Sequence, residues 1–263
     1  MFKREMKINL KNFIIWTSIL IGLFLIVFLI YPSIINSQNF ELIDEMMKMF
    51  PNEILKAFNM DISSINSVFG WLKTEGFVFL LLITGIYSAL LGSNILLKEE
   101  SDKTIEYLNS VPVSRNNILL NKILCGLLYI ILMVLIVGIF NFIGLSLSGN
   151  FDTKLYILLS ITPIFSSIVT FALCMFLSTF THKTKKTFGI SLGIVFVSYF
   201  FNVLSELSNS TKFLKYLSIF SLADIRNVIT NVAINPLLAA LSLFITMILL
   251  FFTFIHYNKK ELV

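Results

Sequence analysis

Long unbroken apolar runs, rather than strict alternation or a single helical stripe, dominate the chain. Six stretches contain no Asp, Glu, Lys or Arg: Phe13–Tyr31, Gly76–Leu97, Cys125–Leu147, Leu155–Phe180, Phe188–Leu204 and Leu237–His256. About 20 residues at 1.5 Å rise cover the roughly 30 Å hydrocarbon layer of a bilayer. The pattern therefore predicts an all-α, polytopic membrane protein with six transmembrane helices in one domain over residues 1–263. Pro163 predicts a kink in the fourth span, which membranes tolerate where neighbouring groups satisfy the freed carbonyl. The fifth span is the shortest.

The connections carry the polar residues. Ahead of the first span, Phe2, Met6, Leu10 and Phe13 recur on one helical face, with Lys3, Lys7 and Lys11 on the other. This predicts an N-terminal interfacial amphipathic helix, each lysine worth about 1 kcal/mol against anionic lipid. Within Pro32–Glu75, Leu42, Met46, Met49 and Phe50 space an amphipathic segment over Phe40–Phe58, broken at Pro51. In Ser205–Pro236 the stretch Phe213–Ile229 is too apolar for a free loop. It predicts short external re-entrant helices before the sixth span.

Composition agrees with a bilayer as solvent. The 263 residues are 57% hydrophobic and 13% charged, against roughly 25% charged in an average soluble domain, and the mean hydropathy is +0.88. The net charge of +5 is explained by orientation, not nucleic acid, because no basic stripe interleaved with exposed aromatics exists. With the N-terminus inside, thirteen of the 20 Lys and Arg fall in inner segments, and nine of the 15 acids fall outside. The positive-inside rule then places both termini in the cytoplasm of a multi-pass cell-membrane protein. The first run exceeds the roughly 7–15 residues of a signal-peptide core, so it reads as a retained span.

Candidate catalytic chemistry is sparse. There is no G-x-x-x-x-G-K-[ST] phosphate loop and no H-E-x-x-H. A chain without these, and without ionisable residues in the six runs, lacks the acid, base and nucleophile of a membrane hydrolase. It equally lacks the mid-membrane carboxylate or histidine of an ion-coupled carrier. Cys125 and Cys174 make no disulfide framework or metal motif, and His182 and His256 read as interfacial side chains. No cofactor is expected.

The neutral polar residues inside the runs are Asn94, Asn141, Asn202, Thr84, Ser88, Thr162, Ser166, Ser167 and Thr170. They read as hydrogen bonds between helices, each worth about 0.6 kcal/mol. Gly189 and Gly193 form a G-x-x-x-G pair in the fifth span. Gly85 with Ala89, and Ser88 with Gly92, make small faces on the second. These small faces suit packing within the chain, a contact with another subunit or the wall of a pathway.

The most informative connection is Lys98–Leu124. Glu99, Glu100 and Asp102 favour a helix N-terminus. Ile105 and Leu108 share an edge over Thr104–Leu108, Pro112 ends that helix, and Ser114 can cap the next. A short helix held rigidly between two spans suits docking of a cytosolic partner; a solvated charged loop is the other reading.

This segment resembles the cytoplasmic signature of type-2 ATP-binding-cassette (ABC) exporter permeases. That signature is an acidic pair, then T-[IL]-E-x-L, then x-P-[VL]-S-R, then Ile and a Lys entering the third span. The matching positions are Glu99, Glu100, Thr104, Ile105, Glu106, Leu108, Pro112, Val113, Ser114, Arg115, Ile118 and Lys122. Phe2–Glu5 is similar to the family's amphipathic start, Phe50–Pro51 with Leu55 and Phe58 to its first external segment, and Leu217–Asp224 to its external helices. The residue usually Gly before Thr104 is Lys103 here, and a Pro common near Ile219–Phe220 is absent.

The resemblance implies a permease subunit forming the pathway of an exporter, with a coupling helix on a separate cytosolic ATP-binding subunit. Glu99, Glu100, Thr104, Ile105, Glu106, Leu108 and Arg115 would carry the coupling. A second permease half, a copy or a sister chain, would complete the pathway, with Gly85, Ser88, Gly189 and Gly193 as packing or pathway positions. The alternative is a non-transporting membrane scaffold or sensor that recruits a cytosolic partner.

Overall fold

The computed structural model describes residues 1–35, 45, 49–50, 67–104 and 113–260. All regular structure among them is helical. Six helical segments are long and apolar enough to cross a membrane. They are α1 (Phe2–Ile35), α2 (Val68–Ile95), α4 (Arg115–Ser148), the pair α5 (Thr153–Ile161) and α6 (Pro163–Ser178), α7 (Thr184–Leu207) and α9 (Pro236–Lys259). Each overlaps one of the six apolar runs. Several extend past the run at its polar end, because a helix continues for as long as its backbone bonds are satisfied.

Local chemistry explains the ends. Ser114 Oγ accepts from Asn117 N at 3.3 Å and caps α4 as the sequence predicts, while Asp152 Oδ1 accepts from Leu155 N at 3.0 Å at the start of α5. Pro163 breaks the fourth span into α5 and α6, occupying the first turn of α6 where its missing N–H costs nothing. The Thr162 hydroxyl donates to the Leu159 carbonyl at 2.8 Å beside that break.

Two helices run further than the apolar runs alone. The N-terminal amphipathic stretch is the first turns of α1 itself, continuous with the span. Its buried face runs through Glu5, Asn9, Phe13, Thr17, Leu20 and Phe24, while Leu10 is exposed. The face is rotated from the apolar stripe because Glu5 has a charged partner inside the bundle. Second, α2 begins at Val68, and its stretch Leu72–Gly76 is π-helical. Lys73 and Glu75, assigned by hydropathy to the preceding connection, therefore lie in the same continuous helix as the second apolar run.

α2 lies at the centre of the bundle and α9 at its edge: 67% of the apolar window of α2 is buried against 17% for α9. Close backbone approach sets this arrangement. A Cβ on Gly92 would sit 2.4 Å from the Phe171 carbonyl oxygen, and one on Gly126 would sit 2.3 Å from the Phe171 ring. Phe171, fully buried, thus wedges α6 between α2 and α4.

The polar residues of the spans are spent differently from the expectation. Thr84 donates to Leu80 O at 2.7 Å, Thr170 to Ser166 O at 2.8 Å and Ser166 to Pro163 O at 3.2 Å. These bonds stay within one helix. In an apolar medium a hydroxyl reaches a carbonyl one turn back more readily than a partner on another helix.

At the end away from the termini, the segment after α7 forms 3-10 turns over Asn209–Leu217 and Ile219–Leu222, then α8 (Ile225–Asn231). Ser198 and Ser218 tie it to α7: Ser218 Oγ donates to Ser198 O, and Ile219 N donates to Ser198 Oγ, both at 2.8 Å. Phe220, buried, packs on Gly85, where a Cβ would lie 2.8 Å from its ring. The amphipathic segment Phe40–Phe58 lies outside the described residues but for Glu45, Met49 and Phe50.

Candidate functional site

Helix ends from all six spans meet at the end of the bundle that holds both termini. α2 finishes at Ile95 and leads into a single turn, α3 (Lys98–Ser101), bearing Glu99 and Glu100. Both side chains point inward, with Glu99 3% and Glu100 8% exposed. A charged docking loop would leave its acids in solvent; these two are buried and paired.

Glu99 accepts two bonds from Lys122 Nζ of α4, at 2.8 and 2.9 Å. Lys122 is itself buried, and it also donates to Ile95 O at 2.7 Å and lies 3.3 Å from Glu5 of α1. Arg4 approaches Glu99 at 4.0 Å. Asn9 Nδ2 donates to the Glu5 backbone carbonyl at 3.0 Å. One cation thereby joins α1, α2 and α4.

Glu100 faces the other way. Lys260, just past α9, donates to its Oε1 at 2.7 Å, and His182 Nδ1, in the α6–α7 turn, meets its Oε2 at 2.9 Å. Lys260 also donates to Thr181 O at 2.8 Å. The Thr181 and Thr187 hydroxyls, 2.6 Å apart, connect that turn to α7. A buried ion pair broken on one side costs about 3–5 kcal/mol, because the remaining charge is left without water or partner.

The turn ends in a Schellman motif. Thr104 N donates to Glu99 O at 2.9 Å, Lys103 N to Glu100 O at 3.3 Å, and Lys103 takes φ +54°. The chain's departure from the family's Gly thus falls on a left-handed residue. Arg115, exposed, donates from Nη1 to Asn258 O at 3.3 Å and Lys260 O at 3.2 Å, so it holds the start of α4 to the final carbonyls of α9. That is a favourable place for a cation at a helix C-terminus. Ile105, Glu106 and Leu108, with Pro112, lie outside the described residues.

The structure thus brings Glu99, Glu100 and Arg115 into one network, with Thr104 closing the turn. Sequence reasoning missed the roles of Glu5, His182 and Lys260. Lys122 appears in the motif, yet nothing in its spacing says it is buried. The signal available was electrostatic: a lysine at the mouth of an apolar run needs a carboxylate nearby.

The small-residue positions divide. Gly85 and Ser88 are used inside the chain, Gly85 against Phe220 and Ser88 fully buried on α2. A Cβ on Gly189 or Gly193 would meet nothing within 4 Å, so that face of α7 is open. Cys125 and Cys174 are buried free thiols. Among the described residues no cluster of His, Cys, Asp and Glu could hold a metal ion.

A family model described as "ABC-2 family transporter protein" matches residues 2–262. The chain belongs to that family, and it is a transporter permease with several membrane-crossing helices, the membrane subunit of its system and not the nucleotide-binding part. No curated protein and no solved structure matches it.

Proposed function

We propose that the chain is the pathway-forming subunit of an ABC-type exporter, driven by a separate cytosolic ATP-binding subunit docked on the loop between α3 and α4. Both termini, and hence the charge network, lie on the cytoplasmic side in this reading, in accord with the bias of Lys and Arg. The observation that carries it is the anchoring of Glu99 and Glu100. Adjacent residues at the root of the loop grip different helices, one through Lys122 and the other through Lys260.

A docked subunit that pushes on Ile105 and Leu108 would deliver force to α1 and α4 through Glu99, and to α6, α7 and α9 through Glu100. Loosely solvated acids could not transmit such a push; paired carboxylates without solvent can. ATP hydrolysis would occur in the partner, since the chain carries no phosphate loop. A second permease half, facing the open side of α7 at Gly189 and Gly193, would complete the pathway.

The test is to co-express the chain with a candidate cytosolic ATP-binding protein, reconstitute both in liposomes and measure ATP-dependent efflux of candidate compounds. Efflux that requires both proteins supports the reading. Stable association without efflux of any candidate, combined with a signalling phenotype on deletion, favours the scaffold or sensor alternative.

A further inference from the structure

At the end of the bundle away from the termini, a partly enclosed cavity of about 190 Å³ opens between the start of α2, the end of α7 and the turns that precede α8. Its walls are apolar where α2 passes, at Val78, Leu81 and Leu82. Two ion pairs also line it: Lys215 with Asp224 at 3.0 Å, and Arg226 with Glu206. Each of those four charges has its counter-charge.

Glu75 does not. It lines the same cavity from within α2, its Oε1 is buried, and that oxygen has no hydrogen-bond partner among the described residues. No described Lys or Arg forms an ion pair with it. Glu75 belongs to a helix long and apolar enough to cross a membrane, where a carboxylate without a partner is costly and marks ligand or ion pathways. The backbone there is π-helical over Leu72–Gly76. π-Helical turns within α-helices are rare and concentrate at functional sites, since the extra residue re-aims the side chains around it.

We propose that this cavity is a binding site for an organic ammonium group, with Glu75 as its counter-ion and the apolar wall of α2 taking the attached hydrocarbon. The charge count sets the sign: once the two ion pairs are closed, one carboxylate remains and a cation completes the site. The form sets the class: an apolar pocket with one convergent charge suits an amphipathic amine better than a hydrated inorganic ion. Asn202 and Tyr199, on the α7 wall, offer further polar atoms. The site rests on this chain's own residues, and its use as an export-side substrate site rests on the permease reading above.

The ammonium has two possible sources, a free amphipathic amine or an aminolipid headgroup. Calorimetry on the purified chain in uncharged maltoside micelles, without any ATP-binding partner, tests the site. The probe is phenethylammonium, compared with 3-phenylpropionate, which has similar size and opposite charge. The cation should bind about tenfold or more tightly than the anion, and Glu75→Gln should weaken it by about ten- to a hundredfold, the worth of a charged hydrogen bond.

Val78→Trp, which fills the cavity from a neutral position, should abolish binding while leaving the melting temperature close to wild type. Competition by dihexanoylphosphatidylethanolamine, but not by dihexanoylphosphatidylglycerol, assigns the natural ammonium to a lipid headgroup; absence of competition assigns it to a free amine. Equal affinity for both probes, no binding of the cation, or full binding by a folded Glu75→Gln variant overturns the proposal. The charge comparison on the wild type needs no variant, and failure of binding would leave coupling to an ATPase untouched.

Discussion

Glu99 and Glu100 are consecutive residues whose carboxylates grip opposite sides of the bundle. Glu99 is held by Lys122 of α4 at 2.8 Å, and Glu100 by Lys260 beyond α9 at 2.7 Å. Four charges from three sequence regions are thus withdrawn from water to tie the end of α2 to both flanks of the protein. Such an arrangement is poor evidence for stability as such, because apolar side chains of equal volume fill the same space at no desolvation cost. What it provides is a fixed geometry between a loop root and several helix ends.

Removing one partner should therefore be more harmful than removing both. Lys122→Met is expected to destabilise the chain by about 3–5 kcal/mol, since it leaves Glu5 and Glu99 buried beside each other. The double variant Lys122→Met/Glu99→Gln should recover part of that loss. Thermal unfolding of the purified variants in detergent, read as a double-mutant cycle, checks it.

Lys103 offers the opposite sign. Its φ of +54° costs a residue with a Cβ about 1–2 kcal/mol relative to glycine. Lys103→Gly should raise the melting temperature, corresponding to about 1 kcal/mol after the glycine's greater unfolded-state freedom is deducted. Lys103→Ala should leave it unchanged. A lower melting temperature for Lys103→Gly would show that the lysine side chain contributes a contact of its own.

The glycines separate fold from assembly. Gly92→Ala places a Cβ 2.4 Å from the Phe171 carbonyl oxygen and should destabilise the monomer by at least 2 kcal/mol, on the order of a core overpacking defect. Gly189→Leu and Gly193→Leu meet open space within the chain. They should leave the melting temperature of the isolated chain near wild type yet reduce pairing with a second permease half. Cross-linking across α7 in membranes reports that pairing, and wild-type yields for both variants would remove α7 from the interface.

The orientation has its own test. An engineered cysteine at Asn109 should be protected from membrane-impermeant maleimide in intact cells and reactive in inverted vesicles. Both native thiols are buried, so they give little background. Labelling from outside the cell would reverse the assigned sidedness.

Hydropathy marked all six spans because a bilayer-crossing helix must be apolar over most of its length, whatever its neighbours are. The break at Pro163 and the cap at Ser114 were equally legible, since both depend on residues adjacent in sequence. Long-range charge pairing was not. Lys122, Lys260 and His182 look like ordinary polar residues at the ends of apolar runs, and only the packing of helix ends brings them to Glu99 and Glu100. That Glu75 shares a helix with the second apolar run was not legible for a related reason. Hydropathy ends a span at the first charge, whereas the backbone continues helical through Glu75 to Val68.

If the segment between α3 and α4 couples this permease to an ATP-binding subunit, its apolar residues should hold that subunit. Co-purification of that subunit with the chain, measured for wild type, Glu106→Ala and the pair Ile105→Ala/Leu108→Ala, tests it most directly. Buried apolar anchors at interfaces commonly cost above about 2 kcal/mol on truncation, and rim charges much less. The apolar pair is expected to lose the ATP-binding subunit and export together, while Glu106→Ala retains most of both and all variants insert normally. Retention of the subunit and of export at wild-type level by Ile105→Ala/Leu108→Ala would contradict it.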